Sequence, residues 1–222
     1  MWTTVTTIAD RAVRALLCVA LFLIALSTAA QTAEDRLFEA IEDNKPLVAE
    51  GIVARGGAKL DARNAARETP LHRAIEKGYR ELAALLVQAG APMGARTANG
   101  ETALHYAALY ADTYFVDLLL GAKADPSVRN DDGESVLQWA VMTGNPATAR
   151  QLLQAGADLL ATDLKGNTLL HAAADRGDVD MANAFLALGV DPRRRNRAGQ
   201  RPIEIARERD YPEFVKLLER FE

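Results

Sequence analysis

A tetrapeptide returns along this 222-residue chain every 33 residues. Thr69-Pro70-Leu71-His72 is followed by Thr102-Ala103-Leu104-His105, Ser135-Val136-Leu137-Gln138 and Thr168-Leu169-Leu170-His171, then fades to Arg201-Pro202-Ile203-Glu204. A fixed period of this length describes a stack of similar supersecondary units, each packed on its neighbours. Further along each unit comes a paired apolar step, at Leu85-Leu86, Leu118-Leu119, Leu152-Leu153, Phe185-Leu186 and Leu217-Leu218. Most units then close with Gly-Ala or a near variant, as at Gly90-Ala91, Gly156-Ala157 and Gly189-Val190. Leu119 and Leu153 are expected in a continuous core running between units.

Within a unit the spacing is helical. Leu71, Ala74 and Ile75, then Leu82, Leu85 and Leu86, recur three and four residues apart, which predicts two short helices with one buried stripe each. Thr69 with Pro70 suits a helix start, where a hydroxyl accepts an orphan N–H and proline's missing donor costs nothing. Gly78, Gly144 and Gly177 fall between the two helices, where a left-handed residue lets the chain reverse. Asn99-Gly100, Asp132-Gly133, Lys165-Gly166 and Ala198-Gly199 are turn signals at hairpin tips. One unit cannot bury both stripes alone, so the ends of the stack need polar outer faces. Asp35, Arg36, Glu39 and Glu42 supply one; Glu204, Arg207, Glu208, Glu213, Lys216 and Glu219 supply the other, and the stack is expected to be complete.

The first thirty residues differ in kind. Arg11 and Arg14 lead into an unbroken apolar run from Ala15 to Leu26 and then the small residues Ser27, Thr28, Ala29 and Ala30. That order describes a secretory signal peptide over residues 1–30, cleaved near Ala29 or Ala30. The run is short of the ~20 residues that span a bilayer, which disfavours the alternative of an uncleaved anchor. Leu17 before Cys18 and the apolar run continuing past it disfavour a lipoprotein. Cys18, the single cysteine, lies in the segment to be removed, which would leave no disulfide, thiolate nucleophile or Cys-based metal site. The net charge of −4 and pI near 5.5 supply no general basic field, and nucleic acid is not expected as a partner.

In its period, its Thr-Pro-Leu-His tetrapeptide and its apolar step, the chain resembles an ankyrin-repeat protein. The resemblance covers essentially everything after the signal. It implies an all-α solenoid of about six 33-residue helix-turn-helix units with β-hairpin tips, spanning residues 31–222. The approximate units are 35–64, 65–97, 98–130, 131–163, 164–196 and 197–222; the first is degenerate and needs one extra residue between Glu42 and Gly51 to stay in phase. In the family, the imidazole at the position of His72, His105 and His171 is a structural bridge to backbone groups of adjacent units.

Little in the chain points to chemistry. The three histidines are separated by whole repeats and cannot converge on one metal ion. Asp125, Asp158 and Asp191 occupy equivalent positions near turns, where local capping is expected. No G-x-S-x-G, P-loop or H-E-x-x-H spacing occurs. No enzyme, cofactor or metal is expected, and a carboxylate-dependent hydrolase is the least favoured class. The one basic run, Arg193, Arg194, Arg195, Arg197 and Arg201, is either a solvated loop balanced by nearby acids or a handle for an acidic partner or anionic lipid headgroups.

The resemblance also places the residue after the bridge position on a concave groove. Down the stack this row reads Arg73, Tyr106, Trp139, Ala172 and Ile205, and the same helical faces carry Leu109, Tyr110, Met142 and Thr143. Tyr106, Tyr110, Trp139 and Met142 then form an apolar, aromatic centre with a charged rim, the composition of a protein-binding hot spot. Packing between first helices is the alternative for the same residues. The candidate partner-binding set is Arg73, Tyr106, Tyr110, Trp139 and Met142 in the groove with Arg96, Asn99, Glu101, Arg129, Asp131 and Glu134 at the tips. The expected protein is an exported, periplasmic binding module, monomeric alone and without a membrane span after cleavage. Its resemblance to bacterial periplasmic ankyrin proteins implies a part in oxidative-stress defence; an immunity protein against an envelope-targeted toxin is the alternative.

Overall fold

The computed structural model describes residues 31–222. The segment expected to be a signal peptide, with Trp2 and Cys18, lies outside the described residues. Among the described residues twelve helices follow one another in six pairs. They are α1 (Ala33–Glu42) with α2 (Pro46–Arg55), α3 (Pro70–Glu76) with α4 (Arg80–Gln88), and α5 (Ala103–Ala107) with α6 (Tyr114–Gly121). The remaining pairs are α7 (Val136–Thr143) with α8 (Pro146–Gln154), α9 (Leu169–Arg176) with α10 (Val179–Ala187), and α11 (Pro202–Glu208) with α12 (Pro212–Glu219). None is long and apolar enough to cross a membrane. The tetrapeptide Thr, Ser or Arg is the N-cap of α3, α5, α7, α9 and α11, as the capping pattern predicts.

One core runs the length of the stack. Leu71, Leu104, Leu137, Leu170 and Ile203 fill it from the first helix of each pair, at 2% exposure or less. From the second helices the strictly periodic series is Leu86, Leu119, Leu152, Phe185 and Leu218, all buried to the same degree. Leu119 is therefore in the core as expected, but Leu153 is not. Gln151 stands where Leu85 and Leu118 stand, so in this unit the leucine pair arrives one residue late. Leu152 takes the core position, while half-buried Leu153 aligns with half-buried Val87, Leu120 and Leu186. It lines an open apolar cleft of about 460 Å³ between α8 and α10, with Met181, Phe185 and Leu188.

Two local departures have physical causes. The helix-reversing glycines Gly78, Gly144 and Gly177 all take positive φ, but the equivalent residue of the third unit is Ala111. Without that glycine α5 closes early through i to i+3 bonds, Leu109 N to Tyr106 O and Tyr110 N to Ala107 O, both 3.2 Å. The β-hairpin tips, secondly, are not strands. Among the described residues the only β-bridge pairs Arg129 with Ser135; each tip is instead a hydrogen-bonded turn, such as Asn130 N to Glu134 O at 3.0 Å.

The tips are joined in a backbone ladder. Ala98 N donates to Ala66 O, Asp131 N to Asn99 O, Leu164 N to Asp132 O and Arg197 N to Lys165 O, at 2.8 to 2.9 Å. This approach leaves no room for side chains at the turn: a Cβ on Gly133 would lie 2.9 Å from the Leu164 nitrogen.

Candidate functional site

The bridge position organises the interfaces between units. His105 Nδ1 accepts the Thr102 N–H at 3.1 Å, which fixes the neutral tautomer with its proton on Nε2, and Nε2 faces the Glu134 carbonyl of the next unit at 3.4 Å. His171 repeats this with Thr168 (3.1 Å) and Gln200 O (3.0 Å). Gln138 performs the same task without a ring: its Oε1 accepts from Ser135 N at 2.9 Å and its Nε2 donates to Asn167 O at 3.1 Å. His72 makes the first contact, with Thr69 N at 3.2 Å, but its Nε2 lacks a hydrogen-bond partner. Glu204, in the last unit, accepts from Arg201 N and has no donor to pass on. Burial pushes His72 and His105 down to about 4 and lowers His171, so all three are neutral at pH 7. Asp125, Asp158 and Asp191 each accept the N–H two residues on, at 2.8 to 2.9 Å, as turn caps.

Along the first helices, the row predicted for the groove is half-buried and tied into the stack. Tyr106 stands edge-on against His72 at 5.5 Å and Trp139 against His105 at 5.2 Å. The Trp139 Nε1–H donates to Glu134 at 2.8 Å. The Tyr106 hydroxyl donates to buried Glu68 at 2.9 Å, and desolvation followed by that bond raises its pKa. Tyr110 reaches back to the end of α3, donating to the carbonyls of Ile75 (2.6 Å) and Glu76 (2.8 Å), and desolvation raises its pKa also. In the next unit Thr143 performs the same capping on Ala108 O at 3.0 Å. Tyr110 thus adds a donor at a helix end where Gly78 N already serves the Ile75 carbonyl at 2.8 Å.

Arg73 sits inside a carboxylate network. Its guanidinium reaches Glu42 at 2.7 and 2.9 Å, Glu76, and Glu68 at 3.6 Å, with 14% of the side chain exposed. The hydrogen bond from Arg73 holds the Glu42 carboxyl below its usual range. At the tips, Arg129 donates to Thr162 O of the following unit at 2.6 Å, Arg96 pairs with Asp131 at 3.1 Å, and Glu101 accepts from Thr97 at 2.8 Å. Asn99 and Asp131 meet through the ladder bond, and Asn99, Asp131 and Arg96 remain exposed. Met142 is 48% exposed beside Leu109 at 50%, one repeat apart on α7 and just past the end of α5. Leu109 was legible as a groove neighbour of Tyr110; its prominence follows from the early end of α5.

Among the described residues no three His, Cys, Asp or Glu side chains gather in a geometry that could hold a metal ion. The groove is open, rigidly braced and lined by side chains already committed to one another, with a short apolar stretch left uncovered. These features define a helical-repeat scaffold with an open groove. The chain matches the profile of the ankyrin repeats (three copies) over residues 37–130, 92–163, 108–196 and 137–220, and it belongs to the ankyrin-repeat family. Among solved structures it is similar to the ankyrin repeat domain of Bcl-3, described as a unique member of the IkappaB protein family. The two share 30% identity with a TM-score of 0.70, over 83% of this chain and 85% of that one. No curated protein sequence matches it significantly. Ankyrin repeats are protein-binding modules, and the fold is typically a non-catalytic scaffold.

Proposed function

We propose that the protein is an exported, periplasmic binding module that holds another protein across the middle of its groove, around Leu109 and Met142. The observation that carries this is the pair of exposed apolar side chains on the groove face, ringed by the braced aromatics Tyr106, Tyr110 and Trp139. Large side chains already locked in place lose little entropy on binding, so apolar contact made there converts efficiently into affinity. Arg73, Glu101, Arg129 and Glu134 act in this scheme as braces, and Arg96, Asn99 and Asp131 as the polar rim that a partner meets. Export rests on the Arg11/Arg14, apolar-run and Ala29-Ala30 order; the proposed duty is support of oxidative-stress defence in the envelope.

The test is site-specific photocrosslinking in the native host from Met142, with exposed Leu188, just past the end of α10, as control. A discrete protein adduct from position 142 and none from 188 is expected, on a protein whose N-terminus is Ala30 or Gln31 by mass spectrometry. Equal adducts from both positions, or none from 142, would refute the groove assignment. Retention of Met1 on the soluble protein would refute export. An adduct identified as a toxin would move the duty to immunity.

A further inference from the structure

Past Met142 the groove changes character. In the row Arg73, Tyr106, Trp139, Ala172, Ile205, the fourth member shrinks to a methyl group. The change is linked to Gln138, because Tyr106 and Trp139 cover imidazoles of the preceding unit and Gln138 offers no ring to cover. In front of Ala172 lies a recess of about 290 Å³, bounded by Gln138 and Met142 on one side and Ile205 and Arg209 on the other. Through Lys165, Asn167 and Asp175 it runs into a cleft of about 750 Å³ under the tips of the last two units.

The charges around this space are unevenly committed. Asp175 pairs with Arg209 at 2.6 Å, Asp163 accepts from the Asn167 backbone and amide at 2.7 and 2.8 Å, and Glu208 accepts from Gln200 at 2.9 Å. Glu134 is held by Asn130 and Trp139. Lys165 and Arg197 line the cleft, are exposed, and form no ion pair among the described residues. Arg193, Arg194 and Arg195 continue the same tip, whereas the tip two units earlier carries Asp131, Asp132 and Glu134 against Arg129. Lys165 and Arg197 are therefore the cations of this cleft that have no ion-pair partner among the described residues, beside a recess of about 290 Å³ that Glu134, Asp163 and Asp175 also line.

We propose that this end seats an extended acidic segment of a protein partner, with one bulky apolar side chain in the recess at Ala172 and flanking carboxylates on Lys165 and Arg197. The proposal rests on the binding function argued above and specifies the partner's chemistry. A peptide fits better than a membrane surface because Lys165 and Arg197 border a concave cleft, which a flat bilayer does not enter.

The test pans a phage-displayed library of random 12-residue peptides on the full-length protein and measures the enriched peptides, synthesised with a fluorescein label, by anisotropy. Enriched sequences should combine Asp or Glu with one Leu, Phe or Trp, and binding should weaken as salt rises. Ala172→Trp, which fills the recess with the residue naturally present at position 139, should weaken binding by about tenfold or more. Lys165→Glu with Arg197→Glu, both at exposed sites, should do the same, with circular dichroism confirming that each variant is folded. Enrichment of basic or uncharged peptides, insensitivity to both variants, or no enrichment would each overturn the proposal. Binding to phosphatidylglycerol vesicles that depends on Lys165 and Arg197, without peptide binding, would assign the cations to lipid instead and overturn it too. None of these results bears on crosslinking from Met142, so failure here is distinct from failure of the binding function itself.

Discussion

Replacing His105 by glutamine isolates what the bridge position contributes. The next unit already carries glutamine there, and Gln138 reproduces both contacts of the imidazole, accepting from Ser135 N and donating to Asn167 O. At pH 7.5 the His105→Gln protein should therefore stay within about 1.5 kcal/mol of wild type; the lost edge contact with Trp139 accounts for the cost. In acid the order reverses. Burial holds His105 down to about 4, against about 6.5 in the unfolded chain, so between those values the unfolded state binds a proton that the folded state refuses. The histidine's contribution is complete above pH 6.5 and is lost progressively as pH falls towards 4. At pH 5 that linkage amounts to about 2 kcal/mol for one histidine. Glutamine does not titrate, so the variant's stability should fall by about 2 kcal/mol less than wild type between pH 7.5 and pH 5. Urea unfolding followed by far-ultraviolet circular dichroism at the two pH values measures both quantities. Parallel losses in the two proteins, or a variant several kcal/mol weaker at pH 7.5, would refute the neutral-bridge account.

Two further outcomes follow from the packing. Leu152→Ala should cost about 2–5 kcal/mol in urea unfolding, whereas Leu153→Ala, which truncates a half-buried side chain facing an open cleft, should cost under half as much; equal losses would contradict the register described here. Trp139→Ala should lower stability by about 2–3 kcal/mol, and Trp139→Phe by less, since the ring stays against His105 while the bond to Glu134 is lost; unchanged midpoints in both would show that the ring is no part of the stack.

The period, the phase of the first helices and the residues that start and reverse them were all legible in the sequence, because each depends on local chemistry that recurs down the stack. Leu153 was misplaced because an apolar pair is a coarse marker: two adjacent leucines look alike, and only alignment against Gln151 shows which of them meets the core. The loss of a turn of α5 was visible as Ala111 in a column of glycines, but its effect on the exposure of Leu109 needed coordinates. The groove residues were harder for a different reason. The side chains at Tyr106, Tyr110 and Trp139 are spoken for by Glu68, by the α3 carbonyls and by Glu134, and those partners lie in positions that no spacing rule links to an aromatic. A row of tyrosine and tryptophan reads the same whether it awaits a partner or braces the scaffold. The recess at Ala172 was likewise present as a single small residue in the row, and became a site only when Met142 and Ile205 were seen to wall it.

The ladder between tips makes the length of this molecule a quantity that comes in whole steps. Every rung joins an N–H to a carbonyl 32 positions earlier, so the rung at Leu164 differs from the rung at Asp131 only in its side chains. Removing or duplicating 33 residues would bring identical donors and acceptors face to face again, and the new junction would resemble the old ones. A single residue gained in a tip would throw one donor out of reach and open the row at that point. Among the described residues the change of unit length, in the first unit, falls within the helix pair instead, where Asn44 takes the left-handed turn and α2 runs one residue longer than α4. Growth by duplication is thus permitted at any interface, and drift by single residues is confined to the side of the molecule that carries no rungs.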